Sequence, residues 1–169
     1  MRRKDLDQSL IREYIAEALM QLLEKKDYGD ISVGEIAERA GVHRATFYRH
    51  FSSKEDLLRC CIFEMIRKAE GDRELLHEDF TSFIRPVFQA LYDKREQMLS
   101  VHRSGLSGLL MDVLKDYFEF DEEYEADDAL EKYRTAYQIG GIYACLLLWF
   151  SHDMKETPEE MAKIAASIY

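Results

Sequence analysis

Glycine and proline are scarce in this 169-residue sequence, eight of the first and two of the second, so there is little material for the turns of a β-rich fold. Helices are expected throughout. Cysteine is scarcer still: Cys60, Cys61 and Cys145 make neither a metal-ligand spacing nor an even disulfide framework, which fits a reducing, cytoplasmic compartment. The adjacent pair Cys60–Cys61 invites a thiol-switch reading, but neighbouring cysteines rarely pair with each other and both fall near an apolar helix face. Long apolar runs are missing as well. The longest, Ile139 to Phe150, is too short to span a bilayer, and the charged N-terminus does not resemble a signal peptide, so no membrane association is expected. There is no Gly-rich phosphate loop, no nucleophile elbow and no cluster of metal ligands. Hence no catalytic residue, metal or cofactor is expected, and an enzyme ranks last among the function classes.

What the sequence does contain is charge, unevenly placed. The net charge is −10, yet residues 1–52 carry nine Lys or Arg against nine Asp or Glu, so the whole acidic excess lies in residues 53–169. Within the first part, Arg39 to Lys54 holds Arg39, Arg44, Arg49, Lys54, His43 and His50 and no acid, a pattern suited to phosphate. Arg2, Arg3 and Lys4 form a second basic cluster that could act as a flexible arm. The acidic run Glu119–Asp128 lacks the glycine and ligand order of a calcium loop and reads as a solvated loop.

Helical periodicity organises the rest. Ile11, Ile15, Ala18, Leu19, Leu22 and Leu23 predict a first helix over roughly 6–25. Ser32-Val-Gly-Glu35 is a capping box that opens a second, which stops at Gly41, and a third short helix follows from about His43 to His50. A capped short helix, a glycine turn and a second helix with basic residues at its start predict a helix-turn-helix. Ser53-Lys-Glu-Asp56 caps a fourth helix, and a fifth carries Phe80 to Leu91, with Pro86 either in an early turn or at a kink. A short segment near Met98–His102 and a seventh helix from Leu106 to Phe118 follow, then an eighth over 128–152 and a last one opened by Thr157-Pro-Glu-Glu160.

The fold class is therefore all-α, a three-helix helix-turn-helix domain over 1–52 followed by a regulatory and dimerisation domain of about six helices over 53–169. From Ile139 to Phe150 the eighth helix is apolar on every side and must be buried all round, which one chain of this size rarely provides. Gly140, Gly141 and Ala144 allow a close neighbour. With Leu148 and with Met161, Ile164, Ala165 and Ile168 of the last helix they make the expected homodimer interface, a four-helix contact about a dyad.

The stretch Ile31-Ser-Val-Gly-Glu-Ile-Ala-Glu-Arg-Ala-Gly-Val-His-Arg-Ala-Thr-Phe-Tyr-Arg-His-Phe-Ser-Ser-Lys-Glu-Asp-Leu-Leu58 closely resembles the signature of the TetR/AcrR family of bacterial regulators. The resemblance covers about the first 60 residues. Tyr137-Gln-Ile-Gly-Gly-Ile-Tyr143 leading to Trp149, with the Thr-Pro-Glu-Glu helix start, also looks like the C-terminal region of a branch containing dihydroxyacetone-kinase-operon regulators. The resemblance implies that the third helix enters the major groove, so that His43, Arg44 and Thr46 are base-edge candidates, Arg44 by a bidentate bond to guanine. His43 departs from the Ser or Thr more usual at its position. Tyr48, His50 and Lys54 match positions that touch phosphates, and the free amides near Ser32 and Val33 offer a further anion seat.

The implied function is a sequence-specific regulator bound to palindromic double-stranded operator DNA as a dimer, a repressor released when a small ligand tilts the fourth helix. Phe63, Phe83, Phe88, Tyr92, Met98, His102, Tyr137 and Trp149 are aromatic or soft enough to line a pocket for an apolar or aromatic ligand, although stripes of this kind are also ordinary core. The alternative is a regulator or activator controlled by a partner protein, with no small-molecule effector.

Overall fold

A computed structural model describes residues 3–70, 80–120 and 129–168. Among them lie nine α-helices and one 3-10 turn, Tyr28–Asp30, with no strand, in agreement with the all-α expectation. The helices are α1 (Arg3–Leu23), α2 (Val33–Arg39), α3 (Arg44–His50), α4 (Lys54–Glu70), α5 (Phe80–Asp93), α6 (Arg95–Arg103), α7 (Leu109–Tyr117), α8 (Ala129–Ser151) and α9 (Pro158–Ile168). None of the described helices is long and apolar enough to cross a membrane. The acidic residues Asp121–Asp128, read from sequence as part of a solvated loop, lie outside the described residues.

The chain divides into two compact units, 1–61 and 62–169, so the first two turns of α4 go with the N-terminal unit. In that unit α1 buries Ile15, Ala18, Leu19, Leu22 and Leu23 of the stripe its periodicity predicts, with Ile11 half-buried, and α2 packs on both α1 and α3. Ile36 and Ala37 of α2, Phe47 of α3 and Leu57 and Leu58 of α4 complete the core. Because α1 begins at Arg3, Arg3 and Lys4 belong to the helix and not to an extended arm.

The second unit is built on α5, which packs most extensively against α9, while α7 and α6 each pack on α8. Ile84, Val87, Phe88, Leu91, Met98, Leu110, Val113, Leu114, Leu146 and Trp149 fill its interior. Pro86 lies inside α5 and is buried; its ring removes one helical N–H bond, yet the helix continues to Asp93. The sequence places the start of the seventh helix at Leu106, whereas α7 starts at Leu109. Gly105 at φ 75° breaks the chain there, and Leu109 and Leu110 close tight turns onto the carbonyls of Leu106 and Ser107 at 3.0 Å each.

Burial of α8 is one-sided. Ile139, Ile142, Leu146, Trp149 and Phe150 are enclosed, but Gly141, Ala144 and Leu148 are exposed, so the all-round burial expected of this apolar stretch is not provided by one chain. The exposed positions Leu130, Arg134, Tyr137, Gly141, Ala144 and Leu148 recur at alternating steps of four and three, the spacing of a helix seam.

Candidate nucleic-acid interface

The recognition segment begins with the end of α2. Gly41 sits at φ 68°, where only glycine is unstrained, its amide donates to Glu38 O at 3.1 Å, and the Val42 amide reaches back to Ala37 O at 2.9 Å. These paired bonds form a Schellman turn that reverses the chain and aims α3 away from α2. At the other end of α2 the capping box forms as expected, with Glu35 N donating to Ser32 Oγ at 3.2 Å and Ser32 N to Glu35 Oε2 at 2.9 Å. The Lys26 ammonium pairs with the same carboxylate. The Lys26 bond, then the bonds from Ser32, hold the Glu35 carboxyl down at about 2.

Phe47 is fully buried, with Tyr48 edge-on to its ring at 5.3 Å and Phe51 at 5.9 Å. This burial turns the opposite side of α3 to solvent. His43, Arg44 and Ala45 are exposed, Thr46 is half-buried, and Tyr48 is 53% exposed. His43 stands at the N-cap and makes no side-chain cap bond, unlike a Ser or Thr there, so the first-turn amides of Arg44 and Ala45 are open to an incoming oxygen. The base-edge candidates thus share one accessible turn.

The phosphate candidates are less uniform. Ser32 is exposed and Val33 half-buried, with the Ser32 hydroxyl engaged by Glu35 at 2.9 Å. His50 has its ring Nε2 buried; burial first, then the charges of Arg49 and Arg12, hold its imidazole below the ordinary range and favour the neutral form. Lys54 points inward. Its ammonium donates to Tyr28 O at 2.9 Å and Ile31 O at 2.6 Å and lies 4.0 Å from the centre of the Tyr28 ring. Burial lowers its pKa against the pull of Glu55, Asp30 and Glu35. Two of its three N–H groups tie α4 to the turn after α1, a structural task that one residue of sequence context does not reveal. Arg39 of the acid-free stretch likewise turns back, donating to Gln21 Oε1 at 2.9 Å.

In the second unit the structure brings Phe88, Tyr92 and Trp149 together as packed core. Trp149 meets Phe88 edge-on at 5.5 Å, stacks on Tyr92 at 6.0 Å and donates from Nε1 to Glu156 O at 3.1 Å. Met98 is buried, Phe83 packs on Phe118 at 5.6 Å, and His102 Nδ1 lies 2.7 Å from Ser107 Oγ. Phe63, half-buried on α4, lines no part of the cavity beside α8 and α9. That cavity, about 370 Å³, is bounded by Phe80, Arg134, Tyr137, Gln138, Ile142 and Ile168, so Tyr137 alone of the eight sequence candidates lines it. It also touches Gly141 and Ala165, residues of the expected dimer face.

On that face Gly141, Ala144, Leu148, Ile164 and Ile168 are exposed and Gly140 is half-buried, whereas Met161 and Ala165 are buried within the chain. Positions 161 and 165 share one side of α9 and 164 and 168 the next, which separates them. Tyr133 and Tyr137 of α8 are both 74% exposed; Tyr137 belongs to the four-three series of exposed positions, and Tyr133 stands one turn before it. Among the thiols, burial pushes Cys61 up to about 12, which keeps it protonated and unreactive.

A capped helix, a Schellman turn and a short helix presenting cations on a three-helix core define a helix-turn-helix module, the first unit of a DNA-binding regulator. Residues 15–61 match the family profile of bacterial regulatory proteins, tetR family, and residues 78–169 match that of a transcriptional regulator C-terminal region. The chain belongs to the TetR family, whose members are DNA-binding transcriptional regulators and not enzymes. One relative, the uncharacterized HTH-type transcriptional regulator YxbF of Bacillus subtilis, is 25% identical over 170 residues, 95% of this chain and 45% of that protein. The chain spans less than half the length of that relative and of others it matches. Two solved structures share the fold: a dihydroxyacetone kinase operon activator, DhaS, with TM-score 0.59, 18% identity and coverage of 94% of this chain and 93% of that one, and a TetR regulator from Streptococcus agalactiae with TM-score 0.54, 21% identity and coverage of 98% and 96%.

The cap at Glu35 gives a pH prediction. Its carboxyl is depressed from 4.5 to about 2, so the unfolded chain takes up the proton first. The contribution is complete above 4.5 and is lost as pH falls towards 2. Urea unfolding followed between pH 6 and pH 2 should show a steeper acid loss for the wild type than for Glu35→Gln; equal slopes would contradict the cap's charge dependence.

Proposed function

We propose that the chain is a dimeric, sequence-specific repressor whose α3 reads operator DNA and which a small ligand releases. The observation that carries the DNA reading is the exposed first turn of α3, where His43, Arg44 and the open amides of the first turn project from a helix anchored by buried Phe47. Arg44 presents a planar fork able to bond guanine O6 and N7 together, Thr46 and His43 flank it, and Tyr48 is placed to meet a phosphate. His50 and Lys54 act mainly by fixing the ends of α3 and α4; the Ser32 amide is already bonded to Glu35, which leaves the Val33 amide at the start of α2 for the DNA backbone.

Dimerisation supplies what the single chain lacks. Exposed Leu148, Ile164 and Ile168, at 61%, 42% and 62%, flank the small residues Gly141 and Ala144, a surface that a second α8–α9 pair can cover about a dyad. Two recognition helices then fall about 34–36 Å apart, one turn of a palindrome. The 370 Å³ cavity supports the small-ligand reading over control by a partner protein alone: its walls are mostly apolar, with Arg134 and Gln138 as polar groups, and it borders the dimer face. A ligand there acts on the assembly that sets half-site spacing, and α4, continuous across the division between the units, is the covalent route to the first one. Release requires that the ligand bind the two states of the dimer unequally.

Selection from a randomised duplex pool tests the DNA reading. The wild type should enrich a palindrome, and Arg44→Ala should relax the preference at one base pair per half-site, a loss of about 1–3 kcal/mol of discrimination; unchanged preference would remove Arg44 from the readout. Gly141→Leu tests the interface. A Cβ at Gly141 meets nothing within 4 Å in the single chain and a leucine favours the helix by up to about 1 kcal/mol, so folding should hold while sedimentation shifts from dimer to monomer. A dimer of undiminished affinity would refute this face.

A further inference from the structure

Arg12 lies on α1 ahead of the segment that the tetR-family profile matches, and that match gives it no role. Its side chain is at the surface, yet it holds three contacts at once. Nη1 donates to the backbone oxygen of His50 at 2.9 Å, Nη2 lies 3.6 Å from Cys60 Sγ, and the guanidinium carbon stands 4.5 Å from the centre of the Phe51 ring. His50 is the last residue of α3, so its carbonyl is among the four that no helical amide reaches, and it carries the negative end of the helix dipole. A guanidinium there satisfies that carbonyl, complements the dipole and stacks on the residue that ends the helix.

The placement is made against local charge. Arg49 and His50 stand on the same end of α3, and Arg12 is one of the charges that hold the His50 imidazole low, after burial and Arg49. A cation held close to Arg49 by three contacts at the end of α3 points to geometry as well as to the attraction of the helix dipole. α3 is seven residues long, about 10 Å, so a small rotation at its C-terminal end displaces His43, Arg44 and Thr46 at the other.

We propose that Arg12 is a positioning residue for DNA recognition, its fork setting the axis of α3 by tying the His50 carbonyl to α1 and to Cys60 of α4. The inference rests on the reading of α3 as the recognition helix. It requires the fork, because lysine keeps the charge but cannot bond two acceptors and stack in one plane. Methionine keeps the apolar stem and loses both charge and donors.

Wild type, Arg12→Lys and Arg12→Met are compared on the duplex that the wild type selects and on a scrambled duplex, across a salt series. Both variants should weaken specific binding about tenfold, the scale of one charge-assisted bond, with scrambled-duplex affinity and salt slope nearly unchanged. Full affinity in Arg12→Lys, with the salt slope falling by about one only in Arg12→Met, would make Arg12 a direct phosphate contact and overturn the proposal. An unchanged ratio of specific to scrambled binding in both would overturn it as well. NMR titration of His50 supplies a readout independent of DNA: in Arg12→Met its imidazole should titrate higher, and an unmoved titration would show that the guanidinium is not beside it. Urea unfolding establishes that each variant is folded under assay conditions, and Arg12→Lys decides if Arg12→Met is not. A wild type that enriches no sequence fails the operator reading itself, whereas enrichment with unaffected variants fails the inference alone.

Discussion

A helix of seven residues has no stability of its own in water, since isolated helices shorter than about 12–15 residues are marginal even with favourable sequences. Everything asked of α3 therefore depends on the burial of Phe47. That ring, closed off by Tyr48 and Phe51, supplies the tertiary contact that makes the segment helical, and by taking one side of α3 inward it forces His43, Arg44 and Ala45 outward. The Schellman turn at Gly41 fixes the direction from which α3 leaves α2, and the contacts of Arg12 and Lys54 fix where it ends and where α4 begins. Shape and chemistry are set by the same few side chains.

A second constraint acts in the C-terminal unit. α8 is apolar on more sides than one chain can cover: Trp149 and its neighbours are enclosed, while Gly141, Ala144 and Leu148 face solvent in a regular four-three rhythm. Under the proposed dimer, a second copy covers this exposed apolar surface with the same pattern. The acidic excess lies in residues 53–169, whereas the acid-free basic stretch Arg39–Lys54 lies ahead of it. The proposed dimer face and DNA reader fall in the spans of the two different family profiles, 78–169 and 15–61.

Local signals were the legible ones. The capping boxes at Ser32–Glu35 and Thr157–Glu160, the stop at Gly41 and the stripe of α1 depend on residues a few positions apart, and each is present as the spacing predicts. The basic stretch Arg39–Lys54 is legible as a run without acid but not as a set of directions: Lys54 turns inward and Arg39 turns back along the surface, to partners 18 to 26 residues away. The role of Arg12 is illegible in sequence for the same reason, because its partners lie 38 and 48 residues along the chain. In the second unit a stripe of aromatics could be seen but not sorted, since Phe88 and Trp149 pack with each other and Tyr137 faces a cavity only once α5, α8 and α9 are assembled.

The central claim is that two copies of this chain present their recognition helices one DNA turn apart. Sedimentation of the protein with a duplex carrying the selected palindrome, and with one whose half-sites are moved apart by about five base pairs, tests it most directly. Two chains per duplex on the first and lost or much weakened binding on the second is the predicted result. One chain per duplex, or equal binding at both spacings, would contradict it.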